Sequence, residues 1–142
     1  MPYPDFFLRG ILNNTQVDEN GCVKIDIFQF NENPNEEREF LELSINWYDN
    51  DESLDILFQQ KKDNGEIIFK FGAAKIPLFD VDRLRKKNFV FKQFLHYERS
   101  ILENNQYHGN LLLSKQINKS LKNQVRSYLA LMVEEIMQNE LF

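Results

Sequence analysis

The chain contains two histidines, His96 and His108, and a carboxylate, Glu98, follows the first by two residues. Residues two apart on a strand project from the same face. Residues 89–99 read as a long strand and 107–113 as its hairpin partner, joined by a loop holding Glu103, Asn104 and Asn105. With the turn centred near Glu103–Asn104, His108 is expected opposite or diagonal to His96, with Asn110 on the same side. Two imidazoles, a carboxylate and an amide then fall within about one cross-strand spacing. Imidazole titrates near neutrality, so His96 and His108 could perform acid–base chemistry in a small hydrolase or lyase, with Glu98 orienting or ligating. Two histidines and a carboxylate also suit a transition metal. A plain polar hairpin face, with His108-Gly109 marking a bulge, accounts for the same residues without chemistry. Register decides, because a slip of one residue sends His108 to the other face.

No stronger signature accompanies this grouping. There is no glycine-rich phosphate loop, no paired CxxC, no HExxH, no GxSxG and no EF-hand loop. No cofactor is implied and no metal site is assigned. The acidic cluster Asp49, Asp51, Glu52 and Asp55 is explained by carboxylates favouring a helix N-terminus. A hard-cation site is the alternative.

Basic residues gather in two places: Arg83, Arg85, Lys86, Lys87 and Lys92, then Lys115, Lys119, Lys122 and Arg126. The second group lies in the N-terminal half of a final helix whose C-terminal end carries Glu134, Glu135 and Glu140. Both ends oppose the helix macrodipole, a cost of a few tenths of a kcal/mol each. Solvated charge without a partner accounts for such a placement at little cost, and a placement against local preference is also where a partner is to be sought. A nucleic acid, an acidic protein surface or a second copy of the helix in antiparallel contact would each suit it. These residues, with Arg83, Arg85 and Lys86, are the candidate binding set.

The elements that must position these groups follow from periodicity. Residues 6–12 are a short aromatic strand. Asn20-Gly21 marks a turn, and Val23, Ile25 and Ile27 then alternate with Lys24 and Asp26 as a second strand, 22–30, whose phase changes at Phe28 and Phe30. Leu41, Leu43, Ile45 and Trp47 give the cleanest half-buried strand. A capped helix follows through Leu54, Leu57 and Phe58. The turn Asp63-Asn64-Gly65 then leads into a strand over 66–71. Gly72-Ala73-Ala74 permits close backbone approach. A second short helix carries Val81 and Leu84, the hairpin comes next, and a stripe from Ile117 to Ile136 closes the chain as a helix of about five turns. The order β-β-β-α-β-α-β-β-α gives a single α+β domain over 1–142. It is a mostly antiparallel mixed sheet of about six strands with two short helices and a long C-terminal amphipathic helix.

Composition bounds the function. Net charge is −5 and pI about 5.1, which argues against general affinity for nucleic-acid backbone but leaves local basic strips open. The single cysteine, Cys22, cannot form an internal disulfide. The start Met1-Pro2-Tyr3-Pro4-Asp5 has no basic–apolar leader, and no apolar run is long enough to span a bilayer. A cytoplasmic location without membrane contact is the expectation, and Asn-rich, Ala-poor composition suggests AT-rich coding in a bacterium or phage. Thirteen Phe suit a core built from few positions, or an exposed aromatic patch. The favoured reading is a non-enzymatic accessory domain acting through a protein partner or as a homodimer. The alternatives are the His96/Glu98/His108 enzyme and a nucleic-acid-binding accessory protein using the basic strips.

Overall fold

The computed structural model describes residues 2–31 and 38–140. Six strands form one antiparallel sheet: β1 (Phe6–Ile11), β2 (Phe40–Trp47), β3 (Gly72–Pro77), β4 (Leu95–Arg99), β5 (His108–Ser114) and β6 (Glu135–Gln138), in spatial order β4-β5-β2-β1-β3-β6. The helices are α1 (Asp51–Phe58), α2 (Leu78–Lys87), α3 (Phe89–Phe94) and α4 (Lys119–Met132). The expected α+β class and strand number hold, yet the individual elements differ in four places.

The expected strand over 22–30 is a 3-10 turn at Ile25–Phe28. The phase change read in the sequence matches this: Ile27 and Phe28 are adjacent and both pack into the same core cluster, whereas neighbours in a strand project to opposite faces. Two arginines take the place of a neighbouring strand. Arg9 Nε donates to Ile27 O at 2.6 Å, and Arg126 donates to Phe28 O at 3.1 Å and Ile25 O at 3.3 Å. The strand expected over 66–71 is irregular backbone, and β3 begins only at Gly72. The long strand expected over 89–99 is half helix. Asn88 accepts from the Val90 and Phe91 backbone N–H groups at 3.0 and 3.4 Å, capping α3 before β4 begins at Leu95. The last helix stops at Met132, and Glu135–Gln138 returns to the sheet as β6. Two expected strands, 22–30 and 66–71, are absent, and β3 and β6 stand where none was expected, which leaves the count at six.

Other expectations hold for the reasons given. Gly21 and Gly65 have φ of +79° and +88°, as the two Asn-Gly turns require. α1 opens with a capping box between Asn50 and Ser53. A Cβ at Gly72 would lie 2.1 Å from Met137 O, so the glycine is what lets β6 dock on β3.

The main core lies on one face of the sheet. Phe7, Ile45, Trp47, Ile76, Leu111 and Leu113 meet Phe28 and Phe30, α2, α3 and the buried stripe of α4, Val125 and Leu129. The Trp47 indole N–H finds its acceptor in Glu98 O at 3.1 Å. The opposite face is covered only in part: Leu8 and Ala73 pack beneath Leu57 and Phe58 of α1.

Candidate functional site

On the second face, beyond α1, three strands set polar rows. Cross-strand partners share a face, and the register places Glu42, Leu112 and His96 in one row, then Ser44, Asn110 and Glu98 in the next. Ser100 and His108 follow, joined by the Ser100 N–H donating to His108 O at 2.9 Å. Glu98 therefore lies directly across from Asn110 and diagonal to His108, about 7–8 Å between Cα atoms. The turn centre is as expected, but the residue count about it puts Ser100 opposite His108 and His96 opposite Leu112. His96 and His108 are on the same face, four strand residues apart, or about 13 Å along the sheet.

Each group is already engaged. His96 donates through Nε2 to Gln93 O at 2.9 Å, which leaves Nδ1 to accept from Arg85 Nη2 at 3.4 Å. Its ring also meets Phe40 edge-on at 5.7 Å. His108 donates through Nδ1 to Ser100 O at 2.8 Å. Glu98 accepts from Arg38 Nη2 at 2.9 and 3.3 Å, and Arg38 also pairs with Glu42. The hydrogen bond to Glu98 is the first cause of the upward shift of Arg38 from its ordinary value. Arg38 was missing from the sequence reading because its partners lie on two different strands. No group of three or more possible metal-ligating side chains occurs among the described residues. The three predicted catalytic residues thus share a surface without converging.

The acidic cluster is likewise spent on structure. Asp51 and Glu52 occupy the first turn of α1, Glu52 accepts from Tyr107 OH at 2.8 Å, and Asp49 pairs with Arg99 at 3.4 Å.

The first basic group does converge. Arg83, Arg85 and Lys86 of α2 join Lys92 of α3, Phe79 and Asp82 around a pocket of about 380 Å³. Tyr97 donates to Asp82 at 2.7 Å, the Arg85 guanidinium lies over the Tyr97 ring at 5.8 Å, and Arg83 pairs with Asp80 at 3.3 Å. Burial first, then the hydrogen bond to Asp82, pushes the Tyr97 phenol up to about 12. Phe79 is 69% exposed and Phe89, opening α3, is 78% exposed. The signal for Phe79 was present: Leu78, Val81 and Leu84 set the inward stripe of α2 and leave residue 79 outside it.

The second basic group disperses. Arg126 holds carbonyls of the 3-10 turn, Lys122 is half-buried, and Lys115 lines a cleft beside Arg38 and Gln93. Only Lys119 stands on the outward face of α4. The other exposed residues of that helix are uncharged: Ser120, Asn123, Gln124, Ser127, Tyr128 and Leu131, the last 82% exposed. Beside Leu131 an open groove of about 640 Å³ runs between α4 and the 18–25 segment, with Val23, Ile25, Ala130, Val133 and Ile136 in its walls.

Compared with family models, curated proteins and solved structures, the chain matches none. The geometry alone has to carry the functional reading. No helix among the described residues is long and apolar enough to cross a membrane.

Proposed function

We propose that the chain is a small protein-interaction domain, an accessory protein of the bacterial or phage cytoplasm, that self-associates through the outward face of α4. The observation that carries this reading is an exposed helix face with one charge, Lys119, at its first position and a nearly bare Leu131 near its end. Surface helices ordinarily turn charged residues to water, and this one turns Ser, Asn, Gln, Tyr and Leu.

The occupant that fits is a second copy in antiparallel contact. Lys119 faces the unfavourable end of its own macrodipole, and Glu134, just past the C-terminus, faces the other. Neither has an ion-pair partner among the described residues. A two-fold axis near Arg126 and Ser127, midway between the two charges, brings Lys119 of each copy towards Glu134 of the other, the helical part from Lys119 to Met132 spanning about 20 Å. The same axis lays Leu131 over the stretch from Ser120 to Asn123 of the second copy, where the side chains are short. A helix of 14 residues buries an area at the low end of specific interfaces, so a micromolar dissociation constant is expected.

Sedimentation equilibrium over a concentration series tests the reading. Leu131→Asp should leave a folded monomer. Lys119→Glu and Glu134→Lys should each weaken the dimer a few-fold, as exposed pairs do, and the two together should restore it. A wild-type chain that stays monomeric at about 200 µM, well above micromolar affinity, overturns the proposal. A dimer indifferent to Leu131→Asp overturns it equally.

The enzyme alternative has less support, since His96 and His108 stand about 13 Å apart and each ring holds a backbone carbonyl.

A further inference from the structure

Residues 78–94 hold five cations, Arg83, Arg85, Lys86, Lys87 and Lys92, against two carboxylates, Asp80 and Asp82. That is a local charge of +3 in a chain whose total is −5. The helix dipole explains part of it, because Arg85, Lys86 and Lys87 fill the last turn of α2. It does not explain Lys92, which comes from α3 yet points into the same pocket, and it does not explain Phe79. An aromatic ring left 69% exposed beside converging cations gains nothing from a helix terminus.

The carboxylates do not neutralise the pocket. Asp80 is taken by Arg83, and Asp82 accepts from Tyr97 while standing 4.0 Å from Arg85. Lys86 and Lys92 have no carboxylate partner among the described residues, while Arg85 is engaged by Asp82, His96 and the Tyr97 ring and adds its charge from the pocket wall. A ligand for this site must therefore carry several negative oxygens and a flat face for the Phe79 ring. The pocket volume, about 380 Å³, lies in the range of small-ligand sites.

We infer that the α2–α3 pocket binds nucleotide chemistry, with phosphate on Lys86 and Lys92 beside the Arg85 charge and an unpaired base stacked on Phe79. Cations tracking phosphate beside an aromatic platform are the physical elements of single-strand recognition. A duplex keeps its base faces inside the stack and cannot use the ring. An acidic peptide would satisfy the cations and add nothing to Phe79, whose ring already lies 5.7 Å from the Arg83 guanidinium, whereas a base would add a stacked partner. The chemistry can come from a strand or from a free nucleotide. The site is separate from the α4 face, so each proposal stands or falls without the other.

The test is fluorescence anisotropy of a labelled oligothymidylate of about twelve nucleotides, within the reach of one small domain, at low and moderate salt. The wild-type chain should bind. Phe79→Ala, at an exposed position, should weaken binding about five- to hundredfold, as loss of one stacked base does. Lys86→Gln with Lys92→Gln should lower the salt slope by about 1.4, roughly 0.7 per phosphate contact on a single strand. Phe79→Trp should bind and show indole fluorescence quenched by the oligonucleotide. Competition by thymidine monophosphate at comparable concentration assigns the site to free nucleotide, and failure to compete assigns it to a strand. Either result keeps the inference. No binding of oligonucleotide or mononucleotide at low salt overturns it. So does binding that Phe79→Ala leaves intact and polyglutamate competes equally, for then the surface is charge alone.

Discussion

On one face of the sheet Phe7, Ile45, Trp47, Leu111 and Leu113 are sealed beneath α4, the 3-10 turn and the α2–α3 pair. On the other, α1 covers Leu8 and Ala73, and β2, β5 and β4 present Glu42, Ser44, His96, Glu98 and His108 with an arginine laid across them. The same strands build both, since alternate residues of β2 and β5 feed each side. The contrast shows where polar groups cost most. The sealed face tolerates a guanidinium, Arg9, only because Ile27 O and Ser44 O at 2.6 and 2.8 Å receive it. Burial still pulls that group down to about 10. On the open face Arg38 meets two carboxylates and is shifted the other way.

The largest expected effect breaks the sealed face. Phe28 is fully buried in the main core, on the 3-10 turn whose carbonyls Arg126 and Arg9 hold. Phe28→Ala should cost about 3–5 kcal/mol, the usual loss for an aromatic core truncation, read as a drop in the urea midpoint. A loss below about 1 kcal/mol, the range of surface substitutions, would mean that the turn is a surface attachment and that the two faces differ less than the contacts imply.

Much of this was legible in the residues, and the misses have definite causes. Leu41 to Trp47 alternated cleanly because β2 has one dry face and one wetter one. The Asn-Gly turns and the α1 cap were readable because their chemistry is local. The 22–30 segment was not, since its hydrogen-bond partners are Arg9 and Arg126, far away in sequence. Phe89 to Phe94 looked like a strand by composition, whereas the Asn88 cap and the burial of Phe91 in the core go with a helix. At the candidate site, shared sidedness of His96, Glu98, His108 and Asn110 was correct. What failed was distance: pairing about Asn104 sets Ser100, rather than His96, across from His108. The basic group on α2 and α3 was visible as a run of charges, while its convergence on Phe79 needed α3 to be a helix.

A smaller effect sharpens the comparison at the border of the sealed face. The Tyr97 phenol is raised from 10.0 to about 12, chiefly by burial and then by its hydrogen bond to Asp82. A folded value above the unfolded one gives stability that is complete below pH 10 and is lost as pH rises towards 12. The half-exposed ring limits the loss to about 1 kcal/mol after solvent screening. Tyr97→Phe tests this: the variant should lose the latest tyrosinate step in an absorbance titration and unfold less readily between pH 10 and 12 relative to its own neutral value. An unchanged titration would place the raised phenol elsewhere.

The smallest effect belongs to the open face and tests whether it is open at all. Arg38 bonds Glu42 on β2 and Glu98 on β4, so its guanidinium spans β5, where Leu112 and Asn110 are 7% and 3% exposed. The ion pairs themselves keep contact with water, with side-chain exposures of 36% for Arg38 and 26% for Glu98. Pairs of that exposure contribute little, because solvent screens them and two side chains must be fixed. A double-mutant cycle of Arg38→Ala and Glu98→Gln should therefore give a coupling below about 1 kcal/mol, reduced further in 1 M salt, where the Debye length is about 3 Å. A coupling of about 3 kcal/mol, insensitive to salt, is the signature of a desolvated pair. That value would mean Arg38 closes a second dry layer over Leu112 and Asn110. The sheet would then be sealed on both sides, and a polar surface at Glu98 and His108 would have no access to a ligand.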